Sequence, residues 1–196
     1  MSDRLVASDD PEVRRISSVV VRAVDRAISL CSRTLRYGRA EEAAPERVPF
    51  ELRDMVLEVG VSLGLTNESR VAWRNAVDNG LIVSADREQL FRVLLNLGRN
   101  AVEAIDADGG RDGGVITVTA GHRDSMAVIE VADDGPGLPE AARANLYQAF
   151  AGSARSDGGG LGLSIARDLM RAHGGDIELV KSDAQGTTFR LDLPDG

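Results

Sequence analysis

Residues 86–106, DREQLFRVLLNLGRNAVEAID, decide how this chain folds. At ~100° per residue, Leu90, Val93, Leu94, Leu97, Ala101, Ala104 and Ile105 fall on one broad apolar stripe, so the segment reads as a helix laid on a core. Asp86, with Gln89 three residues later, gives it a capping-box-like start. Asn96, Asn100 and Glu103 share the edge of the stripe. Asparagine is a poor helix former whose amide is costly to bury, so a pair of them in a leucine-rich helix needs a reason. Either they satisfy backbone groups of a nearby loop or they hold a ligand, and this stretch alone leaves both open.

Outward from this helix the pattern is mixed. A short strand is expected near 47–50, a helix over about 51–63, and strands over 71–77 and 81–85. Strands near 114–122 and 126–132 should pair, because Asp124 and Ser125 sit between them as turn residues. A short helix after Pro139, a Gly-rich loop, a helix over 161–173 and strands near 176–181 and 187–193 complete the segment. Two closely spaced strand pairs imply antiparallel hairpins and a mixed sheet covered by helices, not a doubly wound parallel one.

The other end differs. Residues 11–37 read as one long helix, with Pro11 in its first turn after Asp9 and Asp10. Val13, Ile16, Val20, Val24, Ala27, Cys31 and Leu35 form a narrow apolar stripe that needs a partner helix or a second chain. The charged, proline-interrupted stretch RAEEAAPERVP, residues 39–49, reads as a linker. The expected division is a helical region over 1–45 and an α+β domain over 46–196.

Composition excludes several classes. A net charge of −8 without a Lys/Arg-dense stretch argues against nucleic-acid binding. The single cysteine, Cys31, rules out an internal disulfide or a cysteine-clustered metal site and reads as a small core residue. No apolar run approaches the roughly 20 residues of a membrane span, and no signal-peptide pattern opens the chain. The expectation is a cytoplasmic chain making no direct membrane contact, whose parent could still be membrane-attached.

Three further pieces carry chemistry. Asp133-Asp134-Gly135-Pro136-Gly137-Leu138 follows the strand MAVIEVA, placing a carboxylate beside backbone that a flat ring can approach, although a strand-ending turn explains it as well. Gly158-Gly159-Gly160-Leu161-Gly162-Leu163 opens a helix, where backbone N–H groups favour an anion. No Gly-Lys-Ser/Thr follows, so it is not a Walker loop, and residues 151–157 before it read as a mobile flap. Gly186-Thr187-Thr188-Phe189 enters the last strand.

Their order is what informs. NLGRNAVEA, DDGPGL, Phe150 with GGGLGLSIARDLMRAHGG, and GTTF resemble the N, G1, F, G2 and G3 boxes of the Bergerat-type ATPase fold. Histidine kinases, gyrase-type topoisomerases, mismatch-repair ATPases and heat-shock chaperones share that fold, a two-layer α/β sandwich. The resemblance covers about residues 46–194. It implies ATP and Mg²⁺ as cofactors, with Asn100 on the Mg²⁺ and Asn96 nearby. It implies Asp133 on the adenine amino group, with Gly135 and Gly137 giving the base room. Gly158, Gly160, Leu161 and Gly162 would lie along the phosphates, Arg155 would add a cation, and Thr187 would reach adenine through water.

In the hydrolytic branches of this superfamily a glutamate stands four residues before the Mg-binding asparagine. Here that position is Asn96, so transfer to a protein side chain is favoured over attack by water. Glu103 departs from the basic residue many histidine kinases carry there. The 11–37 helix is similar to the second helix of a kinase's dimerisation and phosphotransfer module, implying a homodimer through 11–37 and a response-regulator receiver domain as partner. The acceptor motif of the first helix does not occur. His173 reads as a helix C-terminal residue before a glycine cap, and His122 as a surface residue. Residues 1–8 read as the tail of a truncated first helix, so the chain is expected to be a fragment or to have its acceptor on another chain. The expected activity is that of an ATP-dependent protein-histidine kinase. Two alternatives stay open, an anti-sigma-factor-like serine kinase and a scaffold with a degenerate nucleotide site.

Overall fold

A computed structural model describes residues 44–66, 68–108, 112–144, 146–147 and 162–195. The helix expected over 11–37, together with Phe150, Arg155, Gly158, Gly160 and Leu161, lies outside these residues. In chain order the elements are β1 (Val48–Glu51), α1 (Leu52–Ser62), β2 (Val71–Asn75), β3 (Ile82–Ala85), α2 (Arg87–Ala107), β4 (Gly114–Arg123), β5 (Met126–Asp133), α3 (Glu140–Ala144), α4 (Gly162–Ala172), β6 (Asp176–Asp183) and β7 (Gly186–Pro194).

The main sheet has the order β2-β4-β5-β7-β6, and β1 pairs with β3 in a separate two-stranded sheet. β2 runs parallel to β4, whereas β4–β5, β5–β7 and β6–β7 are antiparallel. Both expected hairpins form, and the fold is the mixed, helix-covered α+β arrangement. Strand alternation explains the two layers. Ile116, Val118, Ala127, Ile129, Val131, Phe189 and Leu191 are buried. Their neighbours Thr117, Thr119, Glu130 and Arg190 face the other way and are at least partly exposed.

The helices close the core from one side. Leu52, Met55, Val56 and Val59 of α1, Leu90, Val93, Leu94, Leu97, Ala101 and Ile105 of α2, and Leu163, Ala166, Leu169 and Met170 of α4 join one buried cluster. The stripe read for α2 is the buried face, except that Ala104 is half-buried and Gly98 takes a place in it. Gly98 is small because a Cβ there would sit 2.6 Å from Leu63 Cδ1 and 3.3 Å from Trp73 Cζ3. Trp73 is wedged under α1 and donates its indole N–H to Val56 O at 2.9 Å. No described helix is long and apolar enough to cross a membrane.

The start of α2 is half the capping box read for it. Asp86 Oδ1 accepts from Gln89 N at 3.0 Å, but Asp86 N donates to His173 Nε2 instead of to a side chain in its own helix. His173 does end α4, with Gly174 at φ +74° and Gly175 N bonded to Met170 O, so its cap reading holds. It is also buried, 1% exposed, and bridges two helices. His122 is exposed, as read, with Nδ1 3.1 Å from Asp195 Oδ1 and Nε2 3.1 Å from Ile82 O.

Candidate functional site

β5 delivers Asp133 to the helix-covered face, because it keeps the parity of Ala127, Ile129 and Val131. Its register partners are Ile116 on β4 and Thr187 on β7. Asp133 Oδ1 accepts the N–H of Gly135 at 2.9 Å and of Thr187 at 3.3 Å. Oδ2 has no partner among the described residues. Burial pushes the carboxyl above its ordinary range, and the two N–H donors only partly offset this. A half-buried acceptor held rigid by two strands, with one oxygen to spare, suits a ligand N–H donor.

Asp134 does a different job. Its Oδ1 accepts Val115 N at 2.9 Å, and its own N–H donates to Val115 O at 3.2 Å, fastening the turn to the first residues of β4. Gly135 lies against Ile105 of α2, where a Cβ would stand 3.4 Å from Cγ1 and 2.9 Å from Asp133 Oδ1. Gly137 has φ +77°, and a Cβ there would meet Asp183 O at 2.2 Å. The positive φ and the close Asp183 carbonyl make Gly137 a requirement of the turn itself.

Asn96 and Asn100 lie on α2, half-buried, one turn apart. Neither amide hydrogen-bonds to another described residue, and the Gly-rich stretch before Gly162 lies outside those residues. Gly162, first residue of α4, faces Asn96, and a Cβ there would be in ordinary contact with it, 3.6 Å from its Cγ. The end of the Gly-rich stretch therefore meets the asparagine helix. Glu103 is exposed. Thr187 is 3% exposed and joins the site through its backbone.

The turn Asp133–Leu138 is thus bracketed by α2, β4 and the β6–β7 hairpin, with Asn96 and Gly162 meeting farther along α2. Among the described residues no cluster of three His, Cys, Asp or Glu side chains could chelate a metal. A groove of about 650 Å³ lies elsewhere, along β6 and α4, between Tyr147, Arg167 and Leu179. Tyr147 donates its hydroxyl to Ile177 O at 2.9 Å, and Arg167 stacks over the Tyr147 ring at 3.9 Å. The groove is not lined by Asn96, Asn100, Asp133 or Thr187.

Residues 85–196 match the family of histidine kinase-, DNA gyrase B- and HSP90-like ATPases. The chain belongs to that family. Within this ATPase family its relatives are kinases. It is 38% identical over 199 aligned residues to the sensor protein FixL of Bradyrhizobium diazoefficiens, covering 98% of this chain and 38% of that protein. The chain therefore spans well under half of that relative's length. The solved catalytic domain of histidine kinase ThkA aligns with TM-score 0.64 and 29% identity over 76% of this chain and 96% of that one. Full-length ShkA in complex with AMPPNP aligns with TM-score 0.67 and 27% identity over 99% of this chain and 41% of that one. ThkA in complex with response regulator protein TrrA aligns with TM-score 0.64 and 27% identity, over 98% of this chain and 55% of that one. The domain is an ATP-binding catalytic domain of the histidine-kinase type.

Proposed function

We propose that residues 46–196 bind Mg²⁺–ATP with the base at Asp133 and the phosphates toward Asn96, Asn100 and Gly162. The γ-phosphoryl group would pass to a histidine, for relay to an aspartate of a response-regulator receiver domain. The carrying observation is the Asp133 carboxylate, held by Gly135 N and Thr187 N in a turn that packs on the asparagine-bearing helix. Asn100 would hold Mg²⁺ through its amide oxygen, since a small hard cation takes oxygen ligands and keeps several waters. ATP would supply the group transferred, and Mg²⁺ the charge neutralisation. This chain's own part is to orient the base, hold the metal and exclude a general base for water. Asn96, with an amide in place of a carboxylate, cannot take a proton from water.

The accepting histidine is not His173, whose ring is buried with both nitrogens engaged. His122 lies at the exposed end of β4 with no acceptor motif around it. Residues 1–45 would carry part of the helical dimerisation and phosphotransfer region, with a homodimer formed through 11–37. Arg155, Gly158, Gly160 and Leu161 are proposed phosphate contacts on the strength of the motif.

Calorimetric titration of the chain with ATP, with and without Mg²⁺, tests the reading. Asn100→Ala should remove most of the Mg²⁺-dependent gain in affinity, and Asp133→Ala should weaken binding in both conditions. A folded wild-type chain that takes up no nucleotide sinks the proposal.

A further inference from the structure

One feature of β6 has no place in the boxes that mark this family. The strand opens in register with β7, pairing Glu178 with Arg190 and Leu179 with Phe189, but the register shifts between Leu179 and Lys181. Val180 is the extra residue, half exposed, and beyond it Lys181 pairs with Thr188 and Ser182 with Thr187. In an antiparallel pair, partners share a face of the sheet. Without the bulge, odd-numbered residues would continue on the core face with Ile177 and Leu179, turning Lys181 inward and Ser182 out. With it, Ser182 shares the face of buried Thr187, and Lys181 is exposed. The Ser182 hydroxyl then accepts the N–H of Leu138 at 2.7 Å. One residue on, Asp183 O lies against Gly137 so closely that a Cβ there would stand 2.2 Å away.

We propose that Ser182, re-aimed by the bulge at Val180, is a positioning residue for nucleotide binding. It ties the far end of the Gly135–Leu138 turn to β6, while Asp133 ties the near end to β7 through Thr187. The turn is thereby clamped at both ends by one hairpin. Removing the hydroxyl leaves the Leu138 N–H unmatched and frees the turn that flanks the base. This inference rests on the assignment of the base to Asp133.

The test is fluorescence titration of the full chain with a labelled ADP, comparing Asp133→Ala, Ser182→Ala, Ser182→Cys and Ser182→Thr, with thermal melts to certify folding. Ser182→Ala should weaken ADP binding about tenfold, the size of one hydrogen bond left unmade. Ser182→Thr, which keeps the acceptor, should restore it, and Ser182→Cys, a poorer acceptor, should fall between. Because the effect is on the base side, the same fold-loss should appear for ADP and for AMPPNP. Loss with Asp133→Ala but wild-type affinity in folded Ser182→Ala overturns the positioning role alone. Unchanged affinity in Asp133→Ala overturns the base assignment, and the Ser182 proposal with it. If Ser182→Ala does not fold, equal affinity in the Thr and Cys variants overturns the proposal.

Discussion

His173 Nε2 accepts the backbone N–H of Asp86 at 3.0 Å, although the two residues are 87 positions apart. The ring's other nitrogen, Nδ1, donates to Leu169 O at 2.8 Å, which fixes the tautomer. One imidazole therefore joins the last turn of α4 to the N-cap of α2. Asp86 adds to the junction by accepting Glu46 N at 3.2 Å through Oδ2, and the Arg47 guanidinium donates to the carbonyls of His173 and Pro194. His173→Ala should orphan a buried N–H and leave a cavity, lowering unfolding free energy by about 3 kcal/mol. Asp86→Ala, losing a cap, should cost about 1 kcal/mol. Urea denaturation of both variants checks the ordering.

Asp176 makes a second link to α4. Its carboxylate takes two hydrogen bonds from Arg167, at 2.7 and 2.9 Å, and sits 3.5 Å from Arg171. The Arg167 bond holds its pKa down to about 2, from 3.8 in a model peptide. A depressed carboxylate stabilises the fold fully above the unfolded value and loses that contribution as pH falls through the folded one. The loss therefore lies between about pH 4 and pH 2. With the Asp176 side chain 43% exposed, solvent screening keeps the contribution under about 1 kcal/mol. Stability of Asp176→Asn against pH should be flatter than wild type in that window and nearly parallel above it.

Much of the fold was legible because its elements carry clean periods. α2 spans 87–107 against an expected 87–106, and β4, β5 and α4 each start and end within a residue or so of expectation. Pairing was less legible. Nothing in 71–77 and 81–85 says that the first strand joins β4 in parallel while the second leaves to pair with β1, since both are short and similarly apolar. For the candidate site, motif order names the turn residues and both asparagines, and the structure brings the turn onto the helix that carries them. Ser182 could not be named, because a one-residue bulge reverses the face it occupies and strand alternation alone would have turned it outward. The sequence marks His173 as a cap, but its bond to Asp86 is a tertiary contact that no local pattern encodes.

Gly186 tests how tightly β7 is packed against the backbone of Asp133. It has φ +132°, and a Cβ there would lie 1.9 Å from Asp133 O. Gly186→Ala should therefore cost about 2 kcal/mol or more through strain plus a backbone clash that no rotamer relieves. Gly64, at φ +69° with nothing within 4 Å of a built Cβ, is the control for strain alone. Gly64→Ala should cost about 1 kcal/mol and leave nucleotide affinity intact. Chemical denaturation and ADP titration of the pair separate the two effects.

Asp133 should show stability and binding pulling in opposite directions. Its folded pKa is raised, chiefly by burial, so keeping the carboxylate charged in the fold works against stability as pH rises through that value. Asp133→Asn retains an oxygen to accept from Gly135 N and Thr187 N but removes the charge. At pH 7 it should be as stable as wild type or more so. Its amide nitrogen, however, would present a donor toward a ligand donor, and nucleotide affinity should fall about tenfold or more. The wild-type chain should lose affinity as pH drops through the raised value, because protonation occupies the acceptor. Asp133→Asn should not follow that pH profile. Melting temperature and ADP affinity measured across pH on both proteins decide it, and parallel pH profiles would mean that Asp133 is not the group the base meets.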